Sequence, residues 1–349
     1  MTETVHVGAL PEYPAQDDFI CLDPAFGTRF MLFVDTEEEF DWSGPFSRTA
    51  HSVTALKGMA RAQSYFAAHG VTPLYVTDYP VVSSRDAAAM MREWVDAGQA
   101  DIGVHLHPWV NPPFAEEVCL ANSYAGFLPP ALEKSKLIAL CDRIAEVFGR
   151  RPIAYRAGRY GIGPNTAAIL EELGFRLDSS VRSRFDYRGQ LGPDLPGMPL
   201  QPYWAGPRRT LVELPLSTAF TGLLGGQGDR LYHAALRMPK MGGALARTRL
   251  LSRVPLTPEG VPLAEAKVAI DALLAEGLPV LNFSFHSPTV EPGHTPYVRN
   301  QADLDNFYHW WDGVFAHLSL RGVRPASLED FLNAVPPRAG AANRTCQAA

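Results

Sequence analysis

A chain of 349 residues with 46% hydrophobic and 19% charged content has enough apolar material for a sizeable core, which excludes a disordered or fibrous protein. The formal net charge of −6 gives no overall basic surface of the kind nucleic-acid binding requires, so no nucleic-acid partner is expected. No apolar stretch approaches the roughly 20 residues that a transmembrane helix needs.

Residues 1–28 are polar and rich in Pro and Asp, and are expected to drape over the surface as an N-terminal extension. Their start lacks the basic residues and apolar run of a secretory signal. The four cysteines, Cys21, Cys119, Cys141 and Cys346, share no metal-ligand spacing and read as reduced thiols, which with the missing signal predicts a cytoplasmic location.

From 29 to 335, short apolar runs alternate with helical patterns, the signature of repeated βα units and a parallel sheet in a single barrel domain. Strands are predicted at Phe30–Asp35, Thr72–Thr77, Asp101–His105, Ile153–Arg156, Arg176–Asp178, Thr210–Leu214 and Val280–His286. Helical stripes run through Leu137, Leu140, Ile144 and Phe148, from Leu263 to a stop at Gly277, and from Leu304 through Trp311 to Leu318. The connections 108–130 and 183–208 are rich in Pro and Gly and longer than ordinary loops, as expected of segments that shape a cleft at a barrel mouth. An insertion near 222–260 carries Arg230, Arg237, Lys240, Arg247, Arg249 and Arg253 with no acidic residue among them. It is either a solvated face or a patch for an anionic or lipid-linked saccharide, with peripheral membrane contact in the latter case. Residues 336–349 lack periodicity and are expected to be a disordered tail.

Four strand ends carry groups capable of chemistry. Side chains alternate along a strand, so Asp35 and, if the extension continues, Glu37 share a face at the end of the first strand. Such an acidic run is otherwise a solvated turn. His105 and His107 are likewise two apart, and a same-face pair of imidazoles suits zinc and similar metals. Arg156 ends a third strand, where a cation would hold a carboxylate ionised, although a surface arginine is the commoner fate. In Val280–His286, Leu281, Phe283 and Phe285 form one face, and Asn282, Ser284 and His286 form the other, which would line the barrel interior. His286 then suits a general acid or is a hydrogen-bonded core histidine. Trp109, Arg159 and Tyr160 flank these positions as candidate substrate contacts. His294 and Tyr297, on a Pro-rich turn after His286, either contact sugar or are ordinary turn residues.

In order and spacing these motifs resemble those of the polysaccharide deacetylase family, metal-dependent carbohydrate esterases, over roughly Phe30 to Leu332. The resemblance implies a distorted, incomplete parallel (β/α) barrel and one divalent metal ion, zinc for preference. It makes Asp35 the base, Glu37 a metal ligand, His107-Pro108 the end of the second motif and Arg156 the brace of the base. Asp178-Ser179-Ser180 matches the fourth motif, with Asp178 among the substrate contacts, and His286 matches the acid. This sequence departs from the family in having Gly103 where the earlier histidine of the second motif stands, so that His105 would serve in its place, and Thr36-Glu37 in place of adjacent aspartates. The implied activity is removal of an acyl group, N-acetyl for preference, from a sugar. Alternatives are a metal-free amidase or cyclic-imide hydrolase, a glycosidase built on the paired carboxylates, and a carbohydrate-binding protein without catalysis.

Overall fold

Arg29–Thr36 forms the first strand, β1, and its nearly unbroken apolar run reflects burial on both faces, as in parallel sheets covered by helices. In the computed structural model, which describes residues 8–41, 44–236, 245, 247–248 and 250–338, ten further strands follow. They are β2 (Leu74–Thr77), β3 (Asp101–Leu106), β4 (Ala154–Ala157), β5 (Leu177–Asp178), β6 (Tyr203–Ala205), β7 (Leu211–Glu213), β8 (Thr218–Thr221), β9 (Ser252–Pro255), β10 (Val280–His286) and β11 (Arg324–Pro325). The main sheet runs β10-β1-β2-β3-β4-β5-β7-β6, with β11 beside β1. Its ladders are parallel except β6–β7, and the sheet curls into an incomplete barrel. The predicted strands all appear, several a residue or two shorter. The antiparallel β6, β8 and β9 are additional: each is three or four residues long, too short to show a periodic signal.

Alternation along β1 sorts the core into two layers. Phe30, Leu32 and Val34 face outward into a cluster that includes Trp311 of the helix Gln301–Leu320, whose ring lies 5.7 Å from that of Phe283. Met31 and Phe33 face inward with Val76, Leu177 and Val212, and the C-terminal helix Leu328–Ala334 contributes Phe331 and Leu332 to the same cluster. The barrel interior is therefore filled with side chains at that level, and its polar residues collect where β1, β3, β4 and β10 end.

Residues 8–28, the described part of the segment before β1, are tied into the domain at several points. Leu10 joins the core, Phe19 bridges to Tyr203, and buried Asp18 accepts from Arg209 and Arg338 at 2.9 Å each. Most of the predicted tail, 339–349, lies outside the described residues. Cys21 is disulfide-bonded, a correction to the expectation of reduced thiols, while Cys119 and Cys141 are free. Spacing along the chain does not report distance in space, which is what decides a disulfide. The cysteines thus no longer argue for a reducing compartment. No helix among the described residues is long and apolar enough to cross a membrane.

The basic insertion does not form one outward patch among the described residues. Arg230 and Arg247 are exposed, but Arg253 turns inward, its guanidinium 3.6 Å from the centre of the Phe185 ring. Arg237, Lys240 and Arg249 lie outside the described residues.

Candidate active site and metal centre

Strand register assembles the site. In the β1–β10 ladder Asp35 lies opposite His286, and in the β3–β4 ladder His105 lies opposite Arg156. Asp35 continues the inward row of Met31 and Phe33 and is 2% exposed. Arg156 is fully buried behind it, with Nη1 donating to Asp35 Oδ1 at 2.9 Å. The rest of the guanidinium is fixed as well: Nε donates to the Ser179 carbonyl and Nη2 to Ser179 Oγ, both at 2.9 Å, and Nη2 also to Asn282 Oδ1 at 3.3 Å. Burial alone would raise the Asp35 carboxyl, but Arg156, His105 and His286 outweigh it and hold it below the ordinary aspartate value.

Glu37 stays on the same side although the strand ends at Thr36. Its Oε2 lies 3.3 Å from His105 Nε2 and 3.4 Å from His107 Nε2. The opposite edges of both imidazoles are already engaged. His105 Nδ1 sits 3.0 Å from the Arg156 carbonyl, and His107 Nδ1 sits 2.7 Å from Glu38 Oε2. A carbonyl only accepts, so in a neutral His105 ring the hydrogen belongs on Nδ1 and the Nε2 lone pair points at Glu37. His107 Nε2 is buried without a hydrogen-bond partner. Candidate ligand atoms of Glu37, His105 and His107 thus all lie within 4.8 Å of one another. This is an arrangement of acceptors that a divalent cation would satisfy and that is costly without one.

Around this group the second carboxylate, Glu38, faces away from the cavity. It accepts from His107 and, through Oε1, from Trp109 Nε1 at 2.9 Å, and its backbone N–H donates to Asp78 Oδ2 at 2.7 Å. Asp78 in turn caps the helix Tyr79–Ser83. Glu38, Asp78 and His107 form a second possible ligand group, but its atoms are already committed to these hydrogen bonds. Burial, with Glu37 adding to it, pushes Glu38 up to about 7 despite the hydrogen bonds it receives.

Glycine is required at Gly158, just past β4. A Cβ there would lie 2.2 Å from His107 Cδ2 and 2.6 Å from the Leu106 carbonyl. The next two residues, Arg159 and Tyr160, both hold φ of 56°, the left-handed region that side chains of their size disfavour.

Across the opening from Glu37, His286 Nε2 lies 3.8 Å from Asp35 Oδ2. Its Nδ1 is 2.7 Å from Glu259 Oε2, and its backbone N–H donates to Glu259 Oε1 at 3.0 Å. Burial lowers the imidazole's pKa, but Glu259, Glu37 and Asp35 more than compensate and raise it to about 10. Glu259 was not anticipated from sequence, since it sits in a Pro-Glu-Gly turn with no local signal.

These groups open onto a cavity of about 1000 Å³. Asp35, Glu37, His105, His107 and His286 line it, as do the predicted Arg159, Tyr160, His294 and Tyr297. The two long connections also reach it, through Tyr124 from the first and Tyr187 and Gln190 from the second. Two predicted substrate contacts lie elsewhere. Trp109 is 2% exposed, stacked on His107 at 4.4 Å, because the 3-10 turn Pro108–Val110 breaks the strand alternation. Asp178 is fully buried opposite Glu213 in the β5–β7 ladder and accepts from Ser180 Oγ. Neither side chain reaches the cavity.

No protein-family profile and no curated protein matches this sequence. Solved structures do. A protein from Mycobacterium smegmatis assigned as a polysaccharide deacetylase aligns over 93% of this chain and 98% of its own, with 18% identity and a TM-score of 0.53. The fold is of the polysaccharide deacetylase type. A protein from Parabacteroides distasonis assigned as a glycoside hydrolase/deacetylase aligns over 88% of this chain and 71% of its own, with 12% identity and a TM-score of 0.55. A carbohydrate esterase family 4 pseudoenzyme from Bacillus anthracis aligns over 88% of this chain and 66% of its own, with 8% identity and a TM-score of 0.43. Identities this low speak to the deacetylase-type fold, and the chemistry rests on the side chains.

Proposed function

We propose that this protein is a metal-dependent hydrolase of the polysaccharide deacetylase family that removes an acyl group, N-acetyl for preference, from an amino sugar. The observation that carries this reading is the convergence of Glu37 Oε2 with His105 Nε2 and His107 Nε2, two imidazole edges whose other nitrogens are held by the Arg156 carbonyl and by Glu38. Nitrogen and carboxylate donors buried together suit zinc, and a single ion fits the group. When bound, that ion would supply Lewis acidity toward an acyl carbonyl and lower the pKa of a water to about 7.

The protein's own residues would carry the protons. Arg156 keeps Asp35 ionised and presents Oδ2 to the cavity, so Asp35 is suited to take a proton from the attacking water. His286, held by Glu259, is charged at neutral pH and can donate to the leaving amine as the carbon–nitrogen bond breaks. Two oppositely charged groups, Asp35 held by Arg156 and His286 held by Glu259, would thus flank the scissile bond. Arg159, Tyr160, His294 and Tyr297 are assigned to the saccharide, with the aromatic rings as stacking faces.

The test is metal content per chain by elemental analysis, on protein incubated with divalent metals and desalted. About one ion per chain, lost in His107→Ala, supports the hydrolase. No retained metal in the wild type would replace this reading with a metal-free amidase or a saccharide-binding protein.

A further inference from the structure

The cavity has a second wall with a different character. Besides the carboxylates and imidazoles, Arg159, Arg182, Tyr124, Tyr160 and Tyr187 line the cavity, with Glu259 near enough to act on Arg182 electrostatically. Three arginines in this part of the chain meet a carboxylate: Arg156 pairs with Asp35, Arg184 with Asp229 and Glu276, and Arg188 with Asp186 and Asp194. Arg182 does not. Among the described residues no carboxylate oxygen lies within 4.0 Å of its guanidinium, and its one side-chain hydrogen bond is from Nη1 to the Tyr187 hydroxyl at 2.8 Å. Its Nε is buried without a partner.

The guanidinium is held nonetheless. It lies 3.9 Å from the Phe185 ring centre and 4.8 Å from that of Tyr160. Arg253 lies over the same Phe185 ring, so two cations share one aromatic ring. Gathering like charges in a half-buried place is unfavourable on its own, because each loses hydration and repels the other. A wall of this kind focuses positive potential into the cavity and is relieved by an anion.

We propose that this wall is an anion subsite in which Arg182, backed by Arg253 and Arg159, receives a carboxylate or phosphate carried by the saccharide. The inference rests on the reading of the cavity as a saccharide site and narrows the substrate to an anionic one. The side chain is positioned for it in advance: Tyr187 fixes Nη1, Phe185 and Tyr160 hold the plane, and among the described residues the remaining N–H groups meet no acceptor. Arg159 is braced separately, donating to Tyr124 Oη and Gln190 Oε1.

Isothermal titration calorimetry with glucuronic acid, glucose 1-phosphate and neutral glucose tests this on the full chain. An anionic probe should bind about tenfold or more tightly than glucose, the worth of a charged hydrogen bond. Arg182→Gln should abolish that preference while leaving glucose binding and metal content unchanged. A preference confined to glucuronic acid identifies a carboxylate as the natural group, and one confined to glucose 1-phosphate identifies a phosphate. Equal behaviour of charged and neutral probes, including failure of all to bind, overturns the proposal, as does a preference that survives Arg182→Gln intact. If that variant does not fold, sodium chloride decides on the wild type, because a ratio insensitive to salt is incompatible with recognition by a charge that faces the solvent-filled cavity. Metal content reads the hydrolase assignment separately, so an anion preference without bound metal would refute the catalysis and keep the subsite.

Discussion

Replacing Asp35 by Asn separates the two tasks given to that carboxylate. The side chain keeps its shape and loses its charge, so the proton acceptor disappears while the ligand atoms of Glu37, His105 and His107 stay in place. General-base loss should lower turnover by about 10²–10⁴-fold. The same change leaves Arg156 fully buried without its carboxylate. Removing one partner of a buried pair costs about 3–5 kcal/mol when the other is left uncompensated. Here the Ser179 carbonyl, Ser179 Oγ and Asn282 Oδ1 continue to accept from the guanidinium, and the new amide oxygen can accept from Nη1. The stability loss should therefore fall below that range, at about 2–3 kcal/mol. Acetate release from N-acetylated amino-sugar oligosaccharides, metal content and denaturant unfolding measure the three quantities. Unchanged turnover would refute the role of Asp35 as base. Unchanged stability would refute the claim that this pair compensates a buried cation, whatever the substrate.

Two further outcomes follow from the packing around the site. Gly158→Ala places a Cβ 2.2 Å from His107 Cδ2, against a rigid ring, so the imidazole must move and metal content should fall well below one per chain while far-ultraviolet circular dichroism stays unchanged. Full metal retention would contradict the close approach. Glu133 is fully buried, accepts among the described residues only from Thr166 Oγ1, and burial raises it from 4.5 to about 7. A raised carboxyl favours folding only while protonated: its contribution is intact below pH 4.5 and is lost as pH rises to about 7. At 1.36 kcal/mol per pH unit, Glu133→Gln should therefore stabilise the protein at pH 8 by up to about 3 kcal/mol and change it little at pH 4. A benefit equal at both values would exclude ionisation as its cause.

What could be read from the sequence was whatever a repeat of two fixes. Asp35 and Glu37, His105 and His107 were paired because strand alternation carries one parity to the strand end. The structure keeps that parity even at Glu37 and His107, each one residue past its strand. The same rule sorted Asn282 and His286 from Phe283 and Phe285 on β10. The rule fails where the backbone leaves the strand or the strand is too short. Trp109 has the parity of His107, yet the turn Pro108–Val110 folds it back onto the His107 ring. Asp178 ends a strand of two residues and pairs sideways with Glu213. Glu259 lies on a connection and meets His286 27 residues further along the chain, a contact that no local pattern encodes.

Gly103 shows how the ligand set and the sheet constrain each other. It shares its parity with His105, so a side chain there would start toward the same face. Its Cβ, however, would lie 3.0 Å from both the Ala154 carbonyl oxygen and Val76 Cγ1, on the neighbouring strands β4 and β2. A side chain at that position would require those neighbours to give by a few tenths of an ångström. Two residues on, His105 stands opposite Arg156 in the ladder and hands its Nδ1 to that residue's carbonyl. Placing the imidazole at 105 thus orients it through the same strand that supplies the brace for Asp35, and a backbone shift in β4 would disturb ligand and base together.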